Sequence, residues 1–386
     1  MSGEPAARRG RDRRGYRRRM RSAAALLLIA APAALRAETV PFDLARWEIK
    51  AEESRVVDLD GRPSLVLKGG IAAVAGSRFT DGIIEFDLRM SGERGFMGAA
   101  WRIQDLESYE EFYLRPHQSG NPDANQYQPV FHGVAAWQLY HGERYGSPSS
   151  YRFDQWVHLK IVVAGTRAEV YIDDMTRPAL RIDELKRGLA GGRVGLTAGN
   201  FAPATFSNFR YTPMPKPPVL QGGPRAPEVA PPGSILAWQV SRVFDGRTLD
   251  GKLALEGDPR QSWTRLAAED RGLANLARVQ GVKEHQDTVF ARFDVRSDRE
   301  QAKRLRFGFS DAVKVYLNGR LLYAGSDEYR SRDYRFLGSI GLYDEVVLPL
   351  AKGENQVWMA VSESFGGWGV MARFEDLDGI KIVDGS

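Results

Sequence analysis

Residues 109–145 concentrate the side chains of this chain that could bind a ligand. The segment reads YEEFYLRPHQSGNPDANQYQPVFHGVAAWQLYHGERY and combines aromatic rings, amides, Arg and three His. Aromatic rings that cover the apolar C–H face of a sugar, together with planar amides and guanidinium groups that bond its hydroxyls, suit carbohydrate. Alternation along predicted strands places polar side chains opposite Phe112 and Leu114, and others opposite Trp137 and Leu139. The predicted ligand-binding residues are Tyr113, Arg115, His117, Gln126, Tyr127, Gln138 and Tyr140.

A second interpretation of this segment remains open. A long polar loop is predicted at 118–128, and loops of this kind often carry function in sandwich folds. The polar residues could instead only close that loop, with Trp101, Trp137 and Trp156 as core residues.

The same histidines do not form a recognisable metal motif. A site built from His117, His132, His141 and Asp123 is conceivable, but the chain has no His pair one helical turn apart. A calcium ion at 173–174 is a weaker possibility, because YIDD before a turn is ordinary hairpin sequence. We therefore predict no metal and no cofactor.

The elements that must position these residues are strands. In 83–90, the side chains of Ile84, Phe86 and Leu88 alternate with Glu85 and Asp87, a period of two that indicates a strand with one buried face. Further strands are predicted at 64–67, 96–103, 111–115, 135–140, 156–163, 167–172 and 192–198, and later at 288–295, 305–309, 312–317, 320–323, 345–348, 355–361 and 369–374. Many short strands separated by turn residues indicate an all-β protein built from antiparallel β-sandwiches of the jelly-roll type.

A proline-rich segment separates the two groups of strands. Residues 212–234 carry eight of the 20 prolines, and such a stretch favours extended, semi-rigid geometry. The predicted organisation is a signal peptide at 1–37, a first jelly roll at 38–212, a linker at 213–234 and a second β-sandwich at 235–386.

The N-terminal residues have the features of an export signal. Ten Arg fall within the first 37 residues, and an apolar run of 13 residues follows at 23–35. Thirteen residues make about 20 Å of helix, too short for a hydrocarbon core of about 30 Å. We predict cleavage after Ala37 and an exported, periplasmic or extracellular protein without a membrane span in its mature part. Arg13-Arg14 leaves the Sec and twin-arginine routes both open.

The charge and the cysteine count exclude several functions. The formal charge of +5 arises in the leader, because residues beyond 37 hold 44 basic and 47 acidic side chains. Without a basic stripe, binding to nucleic acid is not expected. The absence of Cys removes disulfides, thiolate catalysis and Cys-ligated zinc.

Both groups of strands resemble known families. The stretches FTDGIIEFDLR, HLKIVVAGTRAEVYIDD and GRVGLTAGNFAPATFSNFRY are similar to the concanavalin A-like or laminin G-like jelly roll, in particular to the 3-keto-disaccharide hydrolase and family-16-like domains. The stretches DAVKVYLNGRLLYAG and VVLPLAKGENQVWMAVSESFGGWG resemble the galactose-binding-like jelly roll. The resemblance specifies the fold more closely than the activity, because sandwiches of this type include lectins, adhesion modules and glycosidases.

In the glycosidase branch of the first family, three carboxyl groups lie on alternate positions of one strand. Glu85 and Asp87 match the first two positions, while Arg89 or Met90 occupies the third. Hydrolysis of a glycoside requires an acid and an opposing carboxylate, and this strand alone lacks that pair. The alternative is a solvated strand face with Arg89 as counter-charge.

Three functions follow from these patterns. The first is a secreted carbohydrate-binding protein whose glycan or glycoside ligand lies on the first jelly roll. The second is a glycoside hydrolase or lyase that acts on a modified disaccharide. The third is a structural or adhesion module without catalysis. The acid or base candidates for the second function are Glu85, Asp87, Glu111 and His117.

Overall fold

The computed structural model describes residues 37–255, 262–333 and 335–383. The predicted signal peptide lies outside these residues, except for residue 37. The described residues contain 24 β-strands and four short 3₁₀ turns, so the chain is all-β, as predicted. No helix within the described ranges has the length and apolar character needed to cross a membrane.

Thirteen strands, β1–β13, form one antiparallel sheet. Its order is β11-β10-β9-β4-β13-β3-β12-β5-β6-β7-β8, with β1 beside β13 and β2 beside β3. The strands are β1 Glu38–Thr39, β2 Trp47–Leu59, β3 Arg62–Val74, β4 Gly82–Arg89, β5 Met97–Asp105, β6 Ser108–Leu114, β7 Asn125–Phe131, β8 Val134–Ala135, β9 Trp156–Ala164, β10 Arg167–Ile172, β11 Leu180–Ile182, β12 Arg193–Ala198 and β13 Ala204–Pro213.

This sheet curls into a sandwich around one core. Phe86 of β4 and Phe112 of β6 are both fully buried in the same hydrophobic cluster, although four strands separate β4 and β6 in the sheet order. On each of these strands the residues that alternate with the core residues face outward. The sandwich therefore has two outer faces, one on the β4 layer and one on the β6 layer.

Strands β14–β24 form a second sandwich of two sheets. One sheet has the order β15-β14-β17-β22-β19-β20 with β24 beside β17, and the other has the order β16-β23-β18-β21. The strands are β14 Ala237–Ser241, β15 Trp263–Ala267, β16 Ala274–Asn275, β17 Thr288–Ser297, β18 Gln301–Ser310, β19 Ala312–Leu317, β20 Arg320–Ser326, β21 Asp344–Leu350, β22 Gly353–Ser362, β23 Gly369–Phe374 and β24 Ile380–Val383. Asn318 and Gly319 both have positive φ in the turn between β19 and β20, as an Asn-Gly hairpin turn requires.

The two sandwiches pack directly on each other. Leu273 and Ile340 of the second group belong to the core cluster of the first sandwich, and Val134 of the first belongs to that of the second. Loops of the second sandwich therefore lie close to the β6–β8 edge of the first.

The proline-rich segment runs along the first sandwich. Buried Glu169 of β10 accepts hydrogen bonds from the backbone N–H groups of Gln221 and Gly222 at 3.0 and 2.7 Å. Arg167 donates to the Gly222 carbonyl oxygen at 2.6 Å. These contacts attach the segment to β10, so it does not act as a free spacer.

Two local predictions of secondary structure were wrong. The predicted strand at 135–140 consists of β8 followed by turns, because the chain bends after Ala135 to meet the second sandwich. The predicted loop at 118–128 ends earlier, since β7 begins at Asn125 and pairs with β6.

Candidate functional site

A groove of about 980 Å³ opens on the outer face of the β6 layer. Its floor comes from β3, β6, β7 and β12, and its far side comes from Tyr329, Arg330, Leu337 and Phe365 of the second sandwich. This volume lies at the upper end of the range of about 300–1,000 Å³ that is typical of ligand pockets.

Alternation on β6 creates the floor. Tyr109, Glu111 and Tyr113 line the groove, while Phe112 and Leu114 point into the core. On β5, Gly98 is paired with Tyr113 and Ala100 with Glu111. Because these β5 positions carry almost no side chain, the middle of the outer face is a depression between taller neighbours.

Glu111 and Gln128 form a buried polar pair at the bottom. The Gln128 Nε2 donates a hydrogen bond to Glu111 Oε2 at 2.6 Å, and the two residues are only 9% and 5% exposed. The Gln128 Oε1 has no hydrogen-bond partner among the described residues, although it is buried. A buried acceptor without a partner costs free energy, so hydrogen bonding at the floor of the groove is incomplete among the described residues.

Burial raises the pKa of the Glu111 carboxyl. Hydrogen bonding from Gln128 acts in the opposite direction and offsets part of this increase. The carboxyl is therefore shifted toward its neutral form, in which it can donate a proton or a hydrogen bond to a ligand.

Tyr113, Arg115 and Gln126 form a network beside this pair. Arg115 Nη2 donates to the Tyr113 hydroxyl at 3.0 Å and also bonds Gln126 Oε1, while Arg115 Nη1 donates to the Asp123 carbonyl at 3.0 Å. Gln126 Nε2 in turn donates to the Trp137 carbonyl at 2.8 Å. Burial raises the pKa of Tyr113 to about 12, so its hydroxyl stays protonated. The network fixes a guanidinium and a phenol at the groove surface.

His117 lies at one end of the groove among aromatic rings. The centre of its ring lies 5.5 Å from the centre of the Phe96 ring, which in turn lies 5.7 Å from the centre of the Phe201 ring. The guanidinium of Arg94 lies 4.3 Å from the centre of the Phe201 ring. Burial lowers the pKa of His117, and the charges of Arg94 and Arg115 lower it further, so the neutral imidazole is favoured.

Three further aromatic rings form a wall between the sandwiches. Trp137 lies 6.3 Å from Tyr329 and 5.8 Å from Phe365, and Tyr329 lies 6.1 Å from Phe365. Phe365 is 55% exposed, which leaves much of its ring free to contact a ligand. We call these three residues the aromatic wall.

The predicted ligand-binding residues separate into two groups. Tyr113, Arg115 and His117 line the groove, and Gln126 lies behind them within the network. Tyr127 and Tyr140 are fully buried and point into the core, where their hydroxyls donate to Glu110 at 2.6 Å and to Glu269 at 2.5 Å. The assignment of Tyr127 and Tyr140 to a ligand-contacting face is therefore wrong.

Gln138 likewise lies away from the groove surface and is bonded within the protein. Its side chain is fully buried between the two sandwiches, where it bonds Ser310 and the Leu337 carbonyl. The alternation argument failed for Gln138 and Tyr140 because 136–140 is not a strand.

Glu85 and Asp87 lie on the other outer face, away from the groove. His158 Nδ1 is 2.7 Å from Asp87 Oδ1, and Arg210 contacts both oxygens of Glu85 at 2.8 and 3.0 Å. Hydrogen bonds from His158 and Arg210 lower the pKa of Glu85 to about 2. Hydrogen bonds that the His158 ring donates to the Asp87 and Glu85 carboxylates raise the pKa of His158 to about 9. These carboxylates are fixed in their charged form, which does not suit proton transfer near neutral pH. The expected counter-charge was also wrong, because Arg89 pairs with Asp60.

The other histidines are engaged separately. His132 Nδ1 lies 2.8 Å from the Ala277 carbonyl, and His141 Nε2 lies 3.2 Å from the Ile340 carbonyl. Asp173 and Asp174 accept hydrogen bonds within their turn and from β9. In the part of the chain that the structure describes, no group of three or more His, Asp or Glu is arranged to hold a metal ion.

Several groove residues escaped the sequence analysis. Gln128 was assigned to a loop, Thr197 and Phe201 looked like ordinary strand and turn residues, and Tyr329 belongs to another sandwich. In the neighbouring GGWG stretch Trp368 is fully buried, and Phe365 just before it is the exposed aromatic residue.

No protein-family model and no curated protein matches the chain. Solved structures that are similar to part of it include a carbohydrate-binding module, CBM66, from Bacillus subtilis, with 17% identity over 43% of this chain and 95% of that one and a TM-score of 0.33. A Bacillus subtilis protein of unknown function with a galectin-like fold has 13% identity over 44% and 90% of the two chains and a TM-score of 0.34. The GH43 protein BlXynB from Bacillus licheniformis has 13% identity over 44% and 37% and a TM-score of 0.32. Similarity at this level does not transfer a function to the chain.

Proposed function

We propose that this chain is an exported protein that binds carbohydrate in the groove of its first sandwich. The observation that carries the proposal is the composition of the groove. A floor with a buried, unpartnered amide oxygen at Gln128 lies between aromatic rings at both the Phe96 side and the Trp137 side.

The chemistry of the groove matches that of a sugar ring. A pyranose presents hydroxyls around its edge and C–H groups on its faces, so it needs both hydrogen-bonding groups and aromatic surfaces. Glu111, Gln128 and Arg115 offer the former, and Phe201 and Phe365 offer the latter. The leader at 1–37 supports export, where extracellular glycans are available.

A glycoside-cleaving enzyme is the second candidate, and Glu111 is the observation that favours it. A carboxyl whose pKa is raised by burial at the floor of a groove has the property required of a general acid. The other carboxylates that line the groove, Glu52, Glu107 and Asp123, lie at its rim. Such an enzyme would need one of them to approach the ligand as the opposing carboxylate.

Array binding and turnover assays distinguish these candidates. The mature chain is applied to immobilised oligosaccharides of plant, microbial and host origin, and each bound sugar is then tested for release of reducing ends. We expect specific binding without turnover. Glu111→Gln retains the size of the side chain, so it should preserve most of the binding. Turnover by the wild type that Glu111→Gln abolishes would establish the enzyme instead, and no binding and no turnover would overturn both candidates.

A matched pair of variants locates the binding. Gln128→Leu removes the buried amide at similar volume, whereas Gln104→Leu changes a Gln outside the groove. The first variant should lose affinity by about 10-fold or more, as for a buried polar contact to ligand, and the second should bind as wild type does. Equal affinities for both variants would place the ligand elsewhere.

A further inference from the structure

The second sandwich completes the groove and contributes two aromatic rings to its lining. Tyr329 and Phe365 lie on two separate loops of that sandwich, yet both contact Trp137 of the first. We propose that the aromatic wall is a sugar-stacking subsite shared by the two sandwiches and that Gln138 positions it. This inference rests on the proposed carbohydrate-binding function and identifies which residues select the ligand.

Gln138 holds both loops against Trp137. Its Nε2 donates to the Leu337 carbonyl at 2.7 Å, and its Oε1 accepts from the Ser310 hydroxyl at 3.0 Å. Its backbone N–H donates to the Gly366 carbonyl at 2.9 Å, and its carbonyl accepts from Ile340 at 3.0 Å. One residue adjacent to Trp137 therefore contacts the chain on both sides of the wall.

Two glycines allow this close approach. A Cβ at Gly338 would overlap the Gln138 Nε2, and a Cβ at Gly366 would lie 2.5 Å from Gln138 Oε1. Gly338 and Gly366 have φ values of +75° and +102°, which residues with a Cβ rarely adopt. The loops are thus shaped to receive the Gln138 side chain.

The position of Phe365 is fixed from below by Asp311. The Oδ2 atom of Asp311 accepts hydrogen bonds from the backbone N–H groups of Ser364 and Phe365 and from the Ser364 hydroxyl, each at 2.7 Å. Asp311 is only 1% exposed, whereas Phe365 is 55% exposed. An exposed aromatic ring on a fixed backbone has the properties of a stacking platform, because only its two χ angles lose freedom when a ligand binds.

The ring arrangement leaves faces available. The three rings meet edge to face, with interplanar angles of 77°, 64° and 82°. An edge-to-face contact covers one face of one ring in each pair and does not stack the rings, and with Phe365 55% exposed its ring can present a π-face to the C–H groups of a pyranose.

The test uses the full mature chain and each array oligosaccharide that the wild type binds, measured by titration calorimetry. Tyr329→Ala/Phe365→Ala should weaken binding by about 10-fold or more, because two exposed aromatic contacts are lost. Phe153→Ala removes an aromatic residue that is 37% exposed outside the groove and should change affinity less than about 2-fold. An unchanged affinity in the double variant, with Gln128→Leu still defective, would overturn the wall but leave the proposed function. No binding by the wild type would overturn both.

The positioning role of Gln138 is tested by a mutant cycle. Gln138→Met removes the side-chain hydrogen bonds at similar length and should weaken binding in the wild-type background. In the Tyr329→Ala/Phe365→Ala background it should have no further effect, because Gln138 acts through the wall. An equal loss of affinity in both backgrounds would show general destabilisation and would overturn the positioning role.

Discussion

Replacement of Glu111 by Gln tests whether this groove carboxyl is protonated in the folded protein. The folded-state pKa of Glu111 is raised above its unfolded value of 4.5 by burial. Because the folded state binds the Glu111 proton more tightly, the protonated carboxyl is the form that favours folding. Its contribution to the free energy of unfolding is fully present below pH 4.5 and is lost as pH rises through the folded-state pKa. The wild type should therefore lose stability relative to Glu111→Gln as pH increases above 4.5.

The size of this loss follows from proton linkage. Between pH 4.5 and the folded-state pKa, the folded protein keeps the Glu111 proton and the unfolded chain releases it. In that range the free energy of unfolding falls by about 1.4 kcal/mol per pH unit. Between pH 5 and pH 7 the difference between wild type and Glu111→Gln should thus grow by at most about 2.7 kcal/mol. The other buried carboxyls cancel, because both proteins contain them.

Urea unfolding from pH 4.5 to pH 8 measures this difference directly. Glu107→Gln is the matched control, because the Glu107 side chain at the rim is 59% exposed in an ion pair with Lys50. The control should follow the wild type across the series. A constant difference between wild type and Glu111→Gln at all pH values would show that Glu111 ionises equally in the folded and unfolded states, so that burial does not raise its pKa.

Two further predictions concern the other face and the core. His158→Gln should destabilise the protein by about 1–2 kcal/mol between pH 4.5 and pH 6.5, a value reduced from the full linkage because the His158 side chain is 31% exposed. The His158 pKa is raised from 6.5 to about 9, so this contribution to stability is complete below pH 6.5 and is lost as pH rises through 9. Urea unfolding measures it, and a stability difference between wild type and His158→Gln that persists at pH 10 would contradict this assignment. Phe206→Ala should cost about 3–5 kcal/mol in the free energy of unfolding, because its ring is fully buried 5.9 Å from Phe86. A loss below about 1 kcal/mol in thermal or urea unfolding would show that this part of the core is loosely packed.

The fold could be predicted from the sequence wherever one strand face is buried and the other is not. The alternation at 83–90 appears as β4 at Gly82–Arg89, and the predicted strand at 167–172 is β10. The long strand β2 was missed, because most of its side chains are exposed and its sequence has little apolar alternation. Strand β7 was missed because it begins in a polar stretch and depends on pairing with β6.

The candidate site could be predicted only in part. Tyr113 and Arg115 follow from alternation on β6, where local sequence decides which face a side chain takes. The aromatic wall depends on contacts between Trp137 and loops about 190 residues or more away in the chain, which no local pattern reports. The carboxylates of β4 were attractive by residue type, but the register places His158 and Arg210 beside them.

Hydrogen exchange with and without a bound array oligosaccharide tests most directly whether the groove is the binding site. Binding in the groove should slow exchange in peptides that cover 109–115, 125–131 and 363–367, while peptides that cover 83–89 and 156–160 should stay unchanged. Protection confined to 83–89 and 156–160 would place the ligand on the Glu85 face and would rule out the groove as the binding site.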